Sequence, residues 1–152
     1  MENVNEAEAR LIGEVVCRIY ERERGCFEAD RTVGVIVPYR TQIAAIRKEL
    51  EKRRIEALRD IAIDTVERYQ GSQRRYIVYG FTVQRERQLN FLASNVFEDI
   101  DGTVVDRKLN VAMTRAEEHL LLVGNARLLW RVGLFRELIE FTRRRGWYYK
   151  IG

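Results

Sequence analysis

The run Arg31-Thr32-Val33-Gly34-Val35-Ile36-Val37 constrains the fold of this chain more than any other segment. It is β-branched or apolar at nearly every position, without the apolar-polar alternation of a strand that has one wet face. That pattern belongs to a strand covered on both sides. The only proline of the chain, Pro38, ends it, since a residue without an N–H cannot continue a central ladder. Just beyond, Gln42 to Arg54 repeats apolar residues at Ile43, Ile46 and Leu50 among charged neighbours, which is helical spacing. A doubly covered strand leading directly into an amphipathic helix is half of a βαβ unit, and such units build parallel sheets.

Other segments fit the same plan. Residues 6–20 put Leu11, Val15 and Ile19 on one stripe with Ile12 and Val16 beside it, and leave Glu8, Arg10, Glu14 and Arg18 for water, so a first helix is expected there. Ile61-Ala62-Ile63, Tyr76 to Phe81 and His119 to Val123 read as further strands. Arg107 to Glu117 has the composition of a helix, and Leu128 to Arg145 carries Leu134, Leu138 and Phe141 at helical spacing. The polar stretch Gln84 to Asp106 reads as a loop with little regular structure. A chain of 152 residues fits one domain. The expectation is an α/β fold, a mostly parallel sheet with helices on both faces, spanning residues 1–152, with ligands beyond the carboxyl ends of the strands.

Composition removes several classes of function. With 46% hydrophobic and 33% charged residues the chain reads as a packed, soluble domain. It lacks a run of about 20 apolar residues, and Met1-Glu2-Asn3 does not open a signal peptide, so a cytoplasmic location without membrane contact is expected. Cys17 and Cys26 have no histidine pair beside them and read as reduced thiols, with neither a metal site nor a disulfide framework. His119, the single histidine, opens an apolar strand without evident partners and reads as structural. Glu21-Arg22-Glu23-Arg24 reads as a solvated helix end, and Trp147-Tyr148-Tyr149 as an aromatic tail that packs back onto the domain. A formal charge of +4 favours polyanionic partners without identifying one.

Three constellations carry the functional signal. Asp64 to Gln73 follows a strand and closes on Gln70-Gly71-Ser72-Gln73, where a glycine admits close approach of a ligand and glutamines offer donors and acceptors. In Arg107-Lys108-Leu109-Asn110-Val111-Ala112-Met113-Thr114-Arg115-Ala116, the residues Arg107, Asn110 and Thr114 share a helical face and Arg115 projects beside it. Pro38-Tyr39-Arg40-Thr41-Gln42 joins an aromatic ring, a cation and hydrogen-bonding groups at the end of the first strand. Taken singly, each also fits a plain turn, a surface arginine or a helix start.

In their chain order the three segments resemble motifs of the superfamily 1 helicases, especially the branch of the nonsense-mediated-decay and Okazaki-fragment helicases. Val35 to Gln42 resembles motif IV, Asp64 to Gln73 motif V, and Leu109 to Ala116 motif VI, with Val123-Gly124-Asn125 closing that block. Asn5-Glu6-Ala7-Glu8-Ala9 is similar to the family's Asn-x-x-Glu-Ala entry, so the likeness runs from about Asn5 to about Leu129. It implies the second of two RecA-like motor domains, with ATP and Mg²⁺ in the cleft between them. By the same resemblance Arg115 is the arginine finger, Gln70, Gly71 and Gln73 lie on the nucleotide side, and Tyr39, Arg40, Gln42, Thr65, Asn110 and Thr114 contact single-stranded DNA or RNA.

Gln73 stands where many relatives carry glutamate, Arg75 where an acid is common, and Glu6 where some place an arginine. No G-x-x-x-x-G-K-[ST] loop occurs in the sequence, and Ile61-Ala62-Ile63-Asp64 lacks the second carboxylate of a magnesium-binding DE pair. The implied phosphate-binding domain, the partner of this one, therefore lies outside these residues. The sequence points to the C-terminal motor domain of an ATP-dependent helicase, inactive as an ATP hydrolase alone. A nucleic-acid-binding module of the same fold without motor activity is the alternative.

Overall fold

A computed structural model of the chain describes residues 4–69, 73–82, 96–98, 104–145 and 148. Helix α1 (Glu6–Arg22) is capped by Asn5, whose extended backbone lets its side chain accept the Glu8 N–H at 3.0 Å. Its buried face is Ala9, Ile12, Val16 and Ile19, with Leu11 and Val15 only partly covered. Glu8, expected in water, lies on that buried face at 5% exposure. It stands one turn before Ile12, and its carboxylate finds a donor there, the Thr82 N–H, at 2.8 and 3.0 Å from its two oxygens.

The chain continues through β1 (Val33–Val37) into α2 (Arg40–Lys52), then β2 (Ala62–Thr65) and β3 (Arg74–Gly80). Two short strands follow, β4 (Val96–Glu98) and β5 (Val104–Asp106), then helix α3 (Arg107–Arg115), β6 (Ala116–Val123), and helices α4 (Ala126–Leu129) and α5 (Gly133–Arg144). Four strands form one parallel sheet in the order β2-β1-β3-β6. This is the α/β layer plan expected from the apolar strand runs, and it fits the RecA-like fold that the resemblance implies.

Helices α1 and α2 pack against each other and share one core with Val33, Val35, Val37, Tyr76, Val78 and Val123 of the sheet. Alternation along the strands sends Gly34, Ile36, Ile77 and Tyr79 to the opposite face, where they too are buried. Strands β2 and β3 flank β1 in parallel, so the chain between them must return from the carboxyl to the amino edge of the sheet. Tyr69 marks the face it uses, because a Cβ added at Gly34 would lie 1.9 Å from the Tyr69 hydroxyl oxygen. Gly34 is thus required by close approach and not by backbone conformation.

Contacts divide the chain into two compact units. The first holds Met1–Thr82 and Lys108–Gly124, the second Val83–Arg107 and Asn125–Gly152. In the second, β4 and β5 pair antiparallel, with Val96 opposite Asp106 and Glu98 opposite Val104. Part of the stretch read as a loop is therefore a strand pair, whose three-residue members are too short to show a period of two. The single helical segment expected over Leu128–Arg145 is two helices, broken at 130–132, and Asn125 caps the first by accepting the Leu128 N–H at 3.3 Å. The buried face of α5 is Phe135 and Ile139, while Phe141, expected in the core, is 43% exposed.

Candidate functional site

The two nominated ends of the site fall on two edges of the sheet in the first unit. At the carboxyl edge, Val37 of β1 lies in register with Thr65 of β2, so the turn Pro38-Tyr39-Arg40 and the end of β2 are neighbours. Tyr39, extended at φ −129° and ψ 134°, is the residue before α2, and Arg40 opens that helix exposed to solvent. Burial pushes the Tyr39 phenol above its ordinary range. Thr65 is buried at 4% exposure, its N–H donates to Asp64 Oδ1 at 2.8 Å, and its carbonyl accepts from the Arg68 and Tyr69 N–H groups. Those bonds fold the chain back over the sheet just after the strand.

Gln42 is placed elsewhere. Its side chain is fully buried, its Oε1 accepts the Asn5 N–H and its Nε2 donates to the Asn5 carbonyl, both at 2.9 Å. The amide mimics a peptide and clamps the entry of α1 to the start of α2, so neither polar atom remains for a nucleic-acid strand. The sequence could have signalled this only by pairing Asn5 with Gln42, residues 37 positions apart in the chain.

The amino edge holds the second group. Helix α3 buries Leu109 and Ala112 and exposes Asn110, Met113 and Thr114. Gln73, just before β3, donates from Nε2 to the Thr114 carbonyl at 3.1 Å, which ties motif V to motif VI. Arg115 ends α3, half-buried, with Nη1 at 3.4 Å from Thr114 Oγ1. Its Nε is buried and has no hydrogen-bond partner among the described residues. Thr114 Oγ1 itself donates back to the Val111 carbonyl at 2.7 Å. Thr114 therefore lies beside Gln73 and Arg115 at the amino edge and not with Tyr39, Arg40 and Thr65. Gln70 and Gly71 lie outside the described residues.

Tyr69 stands between the groups. Burial raises its phenol, opposed by the nearby guanidiniums of Arg74 and Arg115, and the Arg74 guanidinium lies 5.8 Å from its ring centre. The chemistry was expected beyond the carboxyl ends of the strands, yet Gln73 and Arg115 sit where β3 and β6 begin, because α3 precedes its strand instead of following it.

Arg75, noted as a departure, joins three elements. Its Nη1 lies 2.8 Å from Glu23 Oε1 and its Nε 2.8 Å from Glu118 Oε2, and the Tyr76 hydroxyl donates to Glu23 Oε2 at 2.8 Å. Bonds from Tyr76 and Arg75 hold the Glu23 carboxyl below its ordinary range, and Arg75 does the same for Glu118. Glu23, read as part of a solvated helix end, is thus a partner of β3. His119 stacks on Tyr76 with ring centres 4.9 Å apart. Among the described residues no cluster of histidine, cysteine and acidic groups suits a metal ion, and no helix is long and apolar enough to cross a membrane.

Comparison with known proteins identifies the family. A family model described as an AAA domain matches residues 1–127. The chain is 34% identical over 110 residues to an uncharacterized ATP-dependent helicase of Methanocaldococcus jannaschii, covering 72% of this chain and 14% of that protein. It is 29% identical over 140 residues to regulator of nonsense transcripts 1 of Dictyostelium discoideum, covering 90% of this chain and 10% of that one. It is 31% identical over 143 residues to the probable helicase senataxin of Mus musculus, covering 94% and 5%. The chain thus spans no more than about a seventh of these relatives. The family match, together with the parallel sheet and the ordered motifs, shows that the chain belongs to the superfamily 1 helicases as one of their RecA-like domains.

Proposed function

We propose that this chain is the second, C-terminal motor domain of an ATP-dependent superfamily 1 helicase, with Arg115 as its arginine finger. The observation that carries the reading is the state of Arg115. Its Nε is buried without a partner among the described residues, and its hydrogen bond to Thr114 is long. A guanidinium with unspent donors suits charge that develops on a transferring phosphoryl group.

ATP with Mg²⁺, held chiefly by a phosphate-binding domain of the same parent protein, supplies the phosphoanhydride whose cleavage drives the cycle. Within this chain Arg115 meets the terminal phosphate. Gln73, with Gln70 and Gly71, lines the nucleotide side, and its bond to the Thr114 carbonyl fixes α3, and with it Arg115, relative to the motif V turn. Tyr39, Arg40 and Thr65, neighbours at the carboxyl edge, contact the backbone of single-stranded DNA or RNA, and exposed Asn110 is a further polar contact.

A non-motor nucleic-acid-binding module is favoured by one feature, the neutral Gln73 whose Nε2 is already given to Thr114. The two readings separate in the strand-stimulated ATPase of the intact parent protein. Arg115→Ala is expected to slow turnover by about 10³ to 10⁵ while strand binding persists. Turnover equal to wild type would remove Arg115 from the chemistry and favour the binding module.

A further inference from the structure

The formal charge of +4 is not spread evenly over the chain. Residues 126–145 contain six arginines, two glutamates and no aspartate, so this stretch alone matches the net charge of the whole and the remainder is neutral. The stretch forms α4 and α5 of the second unit and lies almost wholly beyond the segment that resembles the helicase motifs.

Three of these arginines stand over aromatic rings. Arg136 and Arg143 stand two turns apart on one line of α5, and their guanidiniums lie 5.7 and 5.5 Å from the Trp130 ring centre. Arg136 Nε also donates to the Trp130 carbonyl at 2.8 Å. Arg143 lies 4.7 Å from the Tyr148 ring centre, and Arg145 lies 5.0 Å from that of Phe141. Glu140 lies within one turn of both Arg136 and Arg143, yet neither arginine is ion-paired among the described residues. Stacking removes rotamer freedom from a guanidinium, and apart from the bond from Arg136 Nε it leaves the N–H edges of Arg136 and Arg143 unspent among the described residues.

We propose that this arginine and aromatic face of α5 is a second binding surface for single-stranded nucleic acid, gripping its phosphate backbone, in addition to the motif IV and V contacts. Rigid guanidiniums without an ion-pair partner among the described residues match phosphate oxygens. The inference rests on the nucleic-acid reading above but not on Arg115.

The test is the affinity of the 152-residue chain for a 20-nucleotide single strand, measured by fluorescence anisotropy over a range of salt. Replacing both arginines with glutamine (Arg136→Gln with Arg143→Gln) is expected to flatten the salt slope by about 1.4, which at 0.1 M salt is about a 25-fold loss of affinity. Lysine at both positions keeps the point charges and most of the slope. In the unmodified chain, bound strand is expected to protect Arg136 and Arg143 from a dicarbonyl reagent, a readout that does not depend on a variant folding. An unchanged slope with no protection overturns the surface and leaves the motor reading to the Arg115 assay. Binding to phosphatidylserine vesicles but not to the strand also overturns it. Intact ATPase in Arg115→Ala with the α5 effects present would instead sink the finger and keep this surface.

Discussion

At Glu8 a carboxyl group is taken out of water and given one backbone donor, the Thr82 N–H, in return. Burial dominates, and the group titrates near pH 8 instead of its ordinary 4.5. Thr82 is held at φ 68°, a left-handed conformation unusual for a β-branched residue, and the bonds to Glu8 help to hold it there. Between pH 4.5 and 8 the folded state binds a proton that the unfolded state has released. Stability from this group is therefore fully present at the acid end of that window, declines as pH rises through it and levels off above. Urea unfolding from pH 5 to pH 9 is expected to show that decline in wild type and to lose it in Glu8→Gln. A decline that persists in the variant would assign it to another group.

The elements hold together through a few polar ties across an apolar interface. Asn5 caps α1 with its side chain while its backbone N–H and carbonyl are bound by Gln42 of α2, so one residue pair sets the start of both helices. Removing a buried partner leaves groups that must find water, at a cost of about 1 to 3 kcal/mol. Gln42→Ala is expected to lower unfolding free energy by that amount and to speed amide exchange at Asn5. If Gln42 instead served the nucleic acid, stability would hold while strand affinity fell. The helical stretch over Leu128–Arg145 was legible, but not its break at 130–132 nor its inner face. Leu134, Leu138 and Phe141 satisfy helical spacing as well as Phe135 and Ile139, and only a packing partner chooses between two apolar stripes on one helix.

For the whole molecule, the sequence holds no G-x-x-x-x-G-K-[ST] loop. The isolated chain is expected to release no phosphate from ATP above background, with or without single strands, in a colorimetric phosphate assay; turnover comparable to the intact protein would refute the need for a second domain. The parallel sheet was readable because a strand covered on both faces must be apolar at consecutive positions, as Val33 to Val37 are. The order of motifs IV, V and VI was readable for the same local reason, since each is a strand end or helix with its own residue pattern. Which of their side chains meet was not. The burial of Glu8, the clamp between Asn5 and Gln42, the seat of Tyr69 over Gly34 and the bond from Gln73 to Thr114 join residues 35 to 74 positions apart. Local periodicity carries no information across such separations. The sequence alone determined the strands of the parallel sheet, the family and the candidate residues; tertiary packing decided which polar groups are already satisfied and which, like Arg115, still have donors to give.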